Sequence, residues 1–265
     1  MNSIIQLPIS QLLAAYVFVL LLILIVKVKG IPREKQIMLA SLRMTLQLML
    51  TGYVLVFIFA NPHPALTLLI VFVMQTFAVF TIYRQVSSPL SPSMKRIIAL
   101  SLVSGTSFSL LFFILVVIQL VPWYHPQYFI PLGGMIIGNS MTGISLGTGK
   151  LVDGMHQQRH QVEGALMLGA TPAMAVKPLA NAAFDTAILP TINSMLGMGI
   201  VFLPGMMTGQ ILSGVSPVTA IQYQIAIMLG ITGSVTLTVF LMLHLGARSF
   251  FNQDQQLRIQ GEDSH

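Results

Sequence analysis

The stretch Glu163–Pro190, EGALMLGATPAMAVKPLANAAFDTAILP, stands between five long apolar runs and two more. Polar residues lead into it: Asp153, His156, Arg159 and His160. Val162, Ala165, Leu166 and Gly169 recur at i, i+3, i+4 and i+7. That is the spacing of one helix face, and it predicts a short amphipathic helix with small residues on its apolar side. In a chain that is otherwise apolar, such a helix lies outside the bilayer and offers its face to a partner.

The composition sets the class. Of 265 residues, 55% are hydrophobic and 8% charged, against about 25% charged in soluble domains. A mean hydropathy of +0.83 leaves too little polarity to cover a water-exposed surface, so the chain reads as a single all-α, polytopic membrane domain over 1–265. At about 20 apolar residues per crossing, there is room for about seven helices and none for a soluble enzyme domain. The chain has no cysteine, which excludes disulfides, thiolate metal sites and cysteine nucleophiles. The first apolar run lacks a basic leader and is followed by Lys27 and Lys29 rather than a cleavage site, so it reads as a retained span.

Candidate spans fall at 8–26, 37–60, 66–83, 97–121, 130–149, 186–212 and 223–245. Lys27, Lys29, Arg33 and Lys35 occupy the first connection, and Arg84, Lys95 and Arg96 the third. Lys150, Arg159 and Lys177 follow the fifth span, and Arg248 and Arg258 lie at or in the polar tail, 249–265. Twelve of the 13 Lys and Arg are thus accounted for, while the alternate connections carry none. By the positive-inside rule this predicts the N-terminus outside and the C-terminus in the cytoplasm, with 153–178 on the cytoplasmic face. The net charge of +6 then reflects topology and not nucleic-acid binding. The external connections fit: NPHPA (61–65) is Pro-rich, and PWYHPQYF (122–129) has the aromatic content of a headgroup-level belt. His63 and His125 there read as solvated residues, each without a second ligand at metal-site spacing. His156 and His160, four apart, would share a helix face and could chelate a metal, but amid Gln and Arg they read as a solvated polar face.

Polar residues within the spans are candidates for a pathway. Arg43 lies inside the second span with Gln47 one turn on; it either lines a pathway, pairs with Asp185, or snorkels to the headgroups. Asp185 opens the sixth span, where it either caps the helix or takes part in transport. Asn139 and Ser140 lie in a Gly-rich fifth span whose Gly134/Gly138 and Gly143/Gly147 pairs permit close helix approach. Asn193 and Gln210 lie in the sixth, which Pro190, Pro204, Gly205 and Gly209 mark for a kink or break. The 17 methionines read as packing residues.

Two motifs mislead. Gly143–Gly147, GISLG, matches G-x-S-x-G, and with His244 as base it would make Ser145 an intramembrane nucleophile. That motif belongs on a strand-to-helix elbow, whereas here it lies in a continuous span. Gly147–Lys150 resembles the end of a phosphate loop, but Ile144 and Leu151 replace the required Gly and Ser or Thr. The chain binds no cofactor directly on this reading; ATP, if used, is bound by a partner.

Glu163, Gly164 and Ala165, followed by Gly169, Ala170 and Thr171, resemble the E-A-A-x-x-x-G coupling motif of ABC-transporter permeases, with Gly164 in place of the middle Ala. The I-x-L-P continuation is missing at its usual offset, although Ile188–Pro190 offers a similar triplet. More widely, GGMIIGNSM (133–141), EGALMLGATP (163–172), ILPTIN (188–193), LPGMMTGQILSG (203–214) and AIQYQI (220–225) resemble, in this order, the FetB-type iron-export permeases and their plant aluminium-tolerance relatives. Arg43, Gln47, Gly52 and Tyr53 fit the same pattern. The resemblance implies the permease subunit of an ABC exporter in a bacterial inner membrane, paired as a homodimer and driven by a separate ATPase. It also implies a metal or metal complex as cargo and a link to oxidative stress. A carrier driven by an ion gradient remains the alternative, with the membrane-embedded hydrolase behind it.

Overall fold

Helices account for nearly all of the computed structural model, which describes residues 8–86, 90–252 and 256–257. Arg258 and most of the polar tail lie outside the described residues. Helix α1 (Ile9–Ala15) and α2 (Val17–Val28) are followed by α3 (Glu34–Ala60), α4 (Pro64–Gln85) and α5 (Pro92–Phe112). A π-helical turn, Phe113–Ile118, ends α5. Then come α6 (Pro126–Gln157), α7 (Arg159–Met167), α8 (Pro172–Gly197), α9 (Gly205–Leu212) and α10 (Pro217–Arg248).

Six helical runs among the described residues are long and apolar enough to cross a membrane: 10–28, 34–60, 64–85, 92–118, 126–157 and 217–248. The expected span at 186–212 is built otherwise. Its helix starts fourteen residues earlier, at a start signal that the apolar pattern conceals: Thr171 accepts a hydrogen bond from the Met174 N–H, and Pro172 takes the first helical position. It stops at Gly197. Met198–Pro204 is non-helical, with Gly199 at φ 84°, and α9 resumes at Gly205. Pro190, expected as a break, lies within the continuous helix.

The contacts divide the chain into two compact units, one up to Pro62 with Leu212–Gly214 and one covering His63–Ile211 and Val215 onward. In the first, α2 packs against α3, and the Tyr16 and Thr45 hydroxyls share a hydrogen bond. Lys27, Lys29, Arg33 and Lys35 collect at the turn between them. Apolar side chains are exposed all round α3, with only Ile58 buried, as in a helix solvated by lipid.

The second unit is a bundle around α6. Register follows from close contacts. A β-carbon at Gly147 would touch Ala183 and Ala187, and one at Gly154 would touch Leu179, so α6 and α8 are antiparallel. Ser140 bonds Ser234 at 3.0 Å and Thr148 bonds Met242 at 3.4 Å, so α6 and α10 are parallel. Gly105 faces Thr238 and Gly246 faces Met94, so α5 opposes α10. Gln75 of α4 donates to Thr106 (3.0 Å) and Ser107 (2.9 Å) of α5, which satisfies a buried amide that would otherwise cost several kcal/mol in hydrocarbon. Helices α4, α6 and α10 therefore run one way and α5 and α8 the other. Although α8 is not apolar enough to stand among the six, it returns the chain between α6 and α10.

One end of this bundle gathers Arg84, Lys95, Arg96, Lys150, Arg159, Lys177 and Arg248. The opposite end carries the aromatic group, with Trp123 edge-on to Tyr124 (5.8 Å) and Phe129 (6.0 Å). Ser145 donates to Gln85, the last residue of α4, at 2.7 Å. That bond marks the level at which α4 ends. Beyond it α6 continues for about 18 Å, so α6, α8 and α10 extend past α4 on the cationic side.

Candidate functional site

The helix α7 sits at the tip of that extension. The Gln158 N–H bonds Gly154 O at 2.9 Å, closing α6, and Gln158 also begins α7. Val162 is buried and anchors the inner face, with Leu166 packed against the core. Glu163 is held along the helix: Arg159 Nε donates to its Oε1 at 2.8 Å, and His160 Nδ1 lies 3.9 Å from Oε2. The placement of Gly169 corrects the sequence reading. It is not on the apolar face of α7, which ends at Met167. It stands beyond the helix at φ 90°, its N–H bonded to Leu166 O (2.9 Å) while the Ala170 N–H bonds Ala165 O (3.0 Å). These are the paired bonds of a Schellman stop. Thr171 and Pro172 start α8 two residues later, so Gly169–Pro172 forms a fixed corner in which each residue has a backbone role.

A Gly169→Ala substitution should therefore lower stability by about 1–2 kcal/mol, the cost of a left-handed conformation for a residue with a β-carbon. Thermal unfolding in detergent measures it, and an unchanged Tm would show that the corner does not depend on glycine. Gly164 behaves differently: a β-carbon there would meet nothing within 4 Å, so this departure from E-A-A is sterically neutral.

Met167 and Leu168 carry no signal in the periodic pattern. Met167 is 88% and Leu168 90% exposed, at the corner of the extension farthest from the aromatic end. Periodicity credits the inward face of a helix and gives no weight to apolar residues at its outer tip.

The candidate pathway residues fall on α3, α6, α8 and α9. Arg43 and Gln47 lie on α3 in the first unit. Asn139 is exposed on α6 and donates to Met135 O (2.8 Å), whereas its neighbour Ser140 is buried against α10. Asp185 lies in the middle of α8, so it caps no helix N-terminus. The α6–α8 register puts it level with Gly147, near the end of α4 and not deep within a span. Asn193 is exposed higher on α8, within about one turn of the level of Asn139. Gln210 is half-buried on α9. Of the break residues, Pro204 precedes α9, Gly205 begins it and Gly209 lies within it.

The other motifs separate as well. His156 lies in the last turn of α6 and His160 belongs to α7, so the helix face they were expected to share is broken at Gln158. His63 is a helix cap, its Nδ1 accepting from the Ala65 N–H at 3.2 Å. His125 packs edge-on against Tyr128. Among the described residues, no three His, Asp or Glu side chains gather into a metal site. Ser145 faces α4 through Gln85, while His244 stacks on Phe240 and lines a cavity between α10 and α8. The two do not form a nucleophile and base.

Known proteins match along nearly the whole of this architecture. The model of a family described as Uncharacterised protein family (UPF0014) matches residues 9–251. A UPF0014 membrane protein of Synechocystis sp. is 38% identical, over 87% of this chain and 89% of its own length. The Arabidopsis thaliana protein ALUMINUM SENSITIVE 3 is 34% identical, over 92% and 88% respectively. An Escherichia coli protein named "Probable iron export permease protein FetB" is 31% identical over 94% of each chain. No solved structure matches.

Proposed function

This chain belongs to the UPF0014 family of multi-pass membrane proteins, and we propose that it is the permease subunit of an ABC-type exporter whose ATPase is a separate polypeptide. The observation that carries this reading is the α7 corner. Met167 and Leu168 project from a short helix held between two helices that run on into the membrane bundle. Exposing two large apolar side chains to water at a rigid tip is unfavourable by roughly 1.5–3 kcal/mol each, and a docked partner removes that cost. No phosphate loop is present in the sequence, so nucleotide chemistry comes from the partner.

In this mechanism the ATPase seats on α7 at the cytoplasmic face. Its closure moves α7, and the Gly169–Pro172 corner passes that motion directly to α8. Because α8 is a continuous helix through Pro190, the displacement travels to the break at Met198–Pro204, which acts as the hinge. Two copies pair in the bilayer, with Asn139 and Asn193 as polar groups beside the pathway. Intramembrane amides exposed on a lone bundle are costly in lipid and are satisfied against a second copy or cargo. The cargo is a metal ion or metal complex, a reading supported by the iron export in the name of the Escherichia coli relative. The N-terminus is outside and the cationic end cytoplasmic.

Purification of the tagged chain from native membranes tests the pairing. An ABC ATPase in stoichiometric amount is the expected companion. Its absence under mild detergent, with the permease intact, would remove the coupling role.

A further inference from the structure

The cationic end of the bundle holds a cavity of about 400 Å³ between the first half of α8 and the last turns of α10. Its walls are apolar, including Val176, Phe184, Phe240 and Leu243, and its polar groups are Lys177, Asn181, His244 and Arg248. Phe240, Lys177, Asn181, His244 and Arg248 are all exposed, so the cavity opens on the side of the bundle. No carboxylate lines it, and among the described residues neither Lys177 nor Arg248 forms an ion pair.

Its depth matters as much as its charge. The α6–α10 register places Phe240 level with Ser145 and Gln85, where α4 ends. His244 and Asn181 then fall about 6–9 Å farther out, and Lys177 and Arg248 about 12–15 Å. The headgroup layer covers roughly the first 5–8 Å beyond the hydrocarbon core. An apolar groove thus begins at the edge of the acyl region, beside two aromatic rings. It ends among cations whose long side chains reach back toward the headgroups. Basic clefts between membrane helices at this level select anionic headgroups.

We propose that this cleft is a binding site for an anionic phospholipid of the leaflet on the cationic side, its acyl chain along Phe184 and Phe240 and its phosphate among His244, Lys177 and Arg248. Charge complementarity selects the headgroup, and the apolar walls distinguish a lipid from a free anion. The lipid would bridge α8 and α10 whether or not an ATPase is docked.

Native mass spectrometry of the delipidated full chain tests the site, with phosphatidylglycerol and phosphatidylcholine of identical acyl chains as probes. Phosphatidylglycerol should bind preferentially, and Lys177→Gln with Arg248→Gln should weaken it by about thirtyfold while phosphatidylcholine binding is unchanged. Lys95→Gln with Arg96→Gln, at the same end but outside the cleft, should retain the preference. Ala180→Phe, which fills the groove and keeps every charge, should also reduce phosphatidylglycerol binding; circular dichroism and gel filtration confirm that each variant is folded. Equal phosphatidylglycerol binding by the folded Lys177/Arg248 variant would overturn the proposal. So would displacement of the lipid by millimolar inorganic phosphate, which would mark a site for a free anion.

Discussion

Replacing Gly143 with Leu should prevent the bundle from assembling, whereas Gly138→Leu, five residues away on the same helix, should be tolerated. A β-carbon at Gly143 would lie 2.9 Å from Val235 Cγ1, 3.1 Å from Val239 Cγ2 and 3.5 Å from Ala187 O. Position 143 is therefore where α6, α8 and α10 meet, and the opposing atoms include backbone that cannot step aside. Overpacking a core commonly costs about 1–3 kcal/mol. A leucine here adds four carbons at a three-helix contact, so the loss belongs at or above the top of that range. At Gly138 a β-carbon would meet nothing within 4 Å. Gel filtration and thermal unfolding in detergent separate the two: aggregation or a strongly lowered Tm for Gly143→Leu, near-native behaviour for Gly138→Leu. Equal behaviour of the pair would mean that the α6–α8–α10 register is wrong.

Charging the outer tip of α7 should have the opposite profile. In the Met167→Glu/Leu168→Glu double variant, ATPase association should fall by at least about a hundredfold, from roughly 1.5–3 kcal/mol lost per apolar side chain at an interface. Stability should stay within about 0.5 kcal/mol, as for other surface substitutions, because both side chains are almost fully exposed. Titrating labelled permease in nanodiscs with purified ATPase measures the first, and thermal unfolding the second. Unimpaired association would move the docking surface off α7.

Most of the class and much of the layout were legible in the sequence. Composition alone requires a membrane protein, and the clustering of Arg84, Lys95, Arg96, Lys150, Arg159, Lys177 and Arg248 reappears as one charged end of the bundle. The short helix over Glu163 was legible too, because its apolar spacing has a 3.6-residue period. What failed did so for local reasons. Gly169 fitted the period by number while its backbone served as a helix stop, a distinction that depends on φ. The sixth span was placed by hydropathy, which cannot see that Thr171 and Pro172 start the helix well before its most apolar stretch, with Lys177 and Asn181 in its first half. That error shifted Asp185 from the middle of a helix to its start and made a capping role look available. Pro190 looked like a break because proline removes one hydrogen bond; packing of α8 against α6 and α10 keeps the helix intact through it. The exposed pair Met167–Leu168 carried no sequence signal, since an apolar residue reveals its exposure only when its surroundings are known.

Reconstitution into proteoliposomes separates an ATP-driven exporter from a gradient-driven carrier: metal efflux is followed with the permease alone, with its ATPase, and with ATP supplied on the ATPase side. ATP-dependent efflux should appear only when both subunits are present, and should vanish with the Met167→Glu/Leu168→Glu variant. Efflux driven by an ion gradient through the permease alone, without ATPase or ATP, would make the chain a secondary carrier and rule out the ABC coupling role.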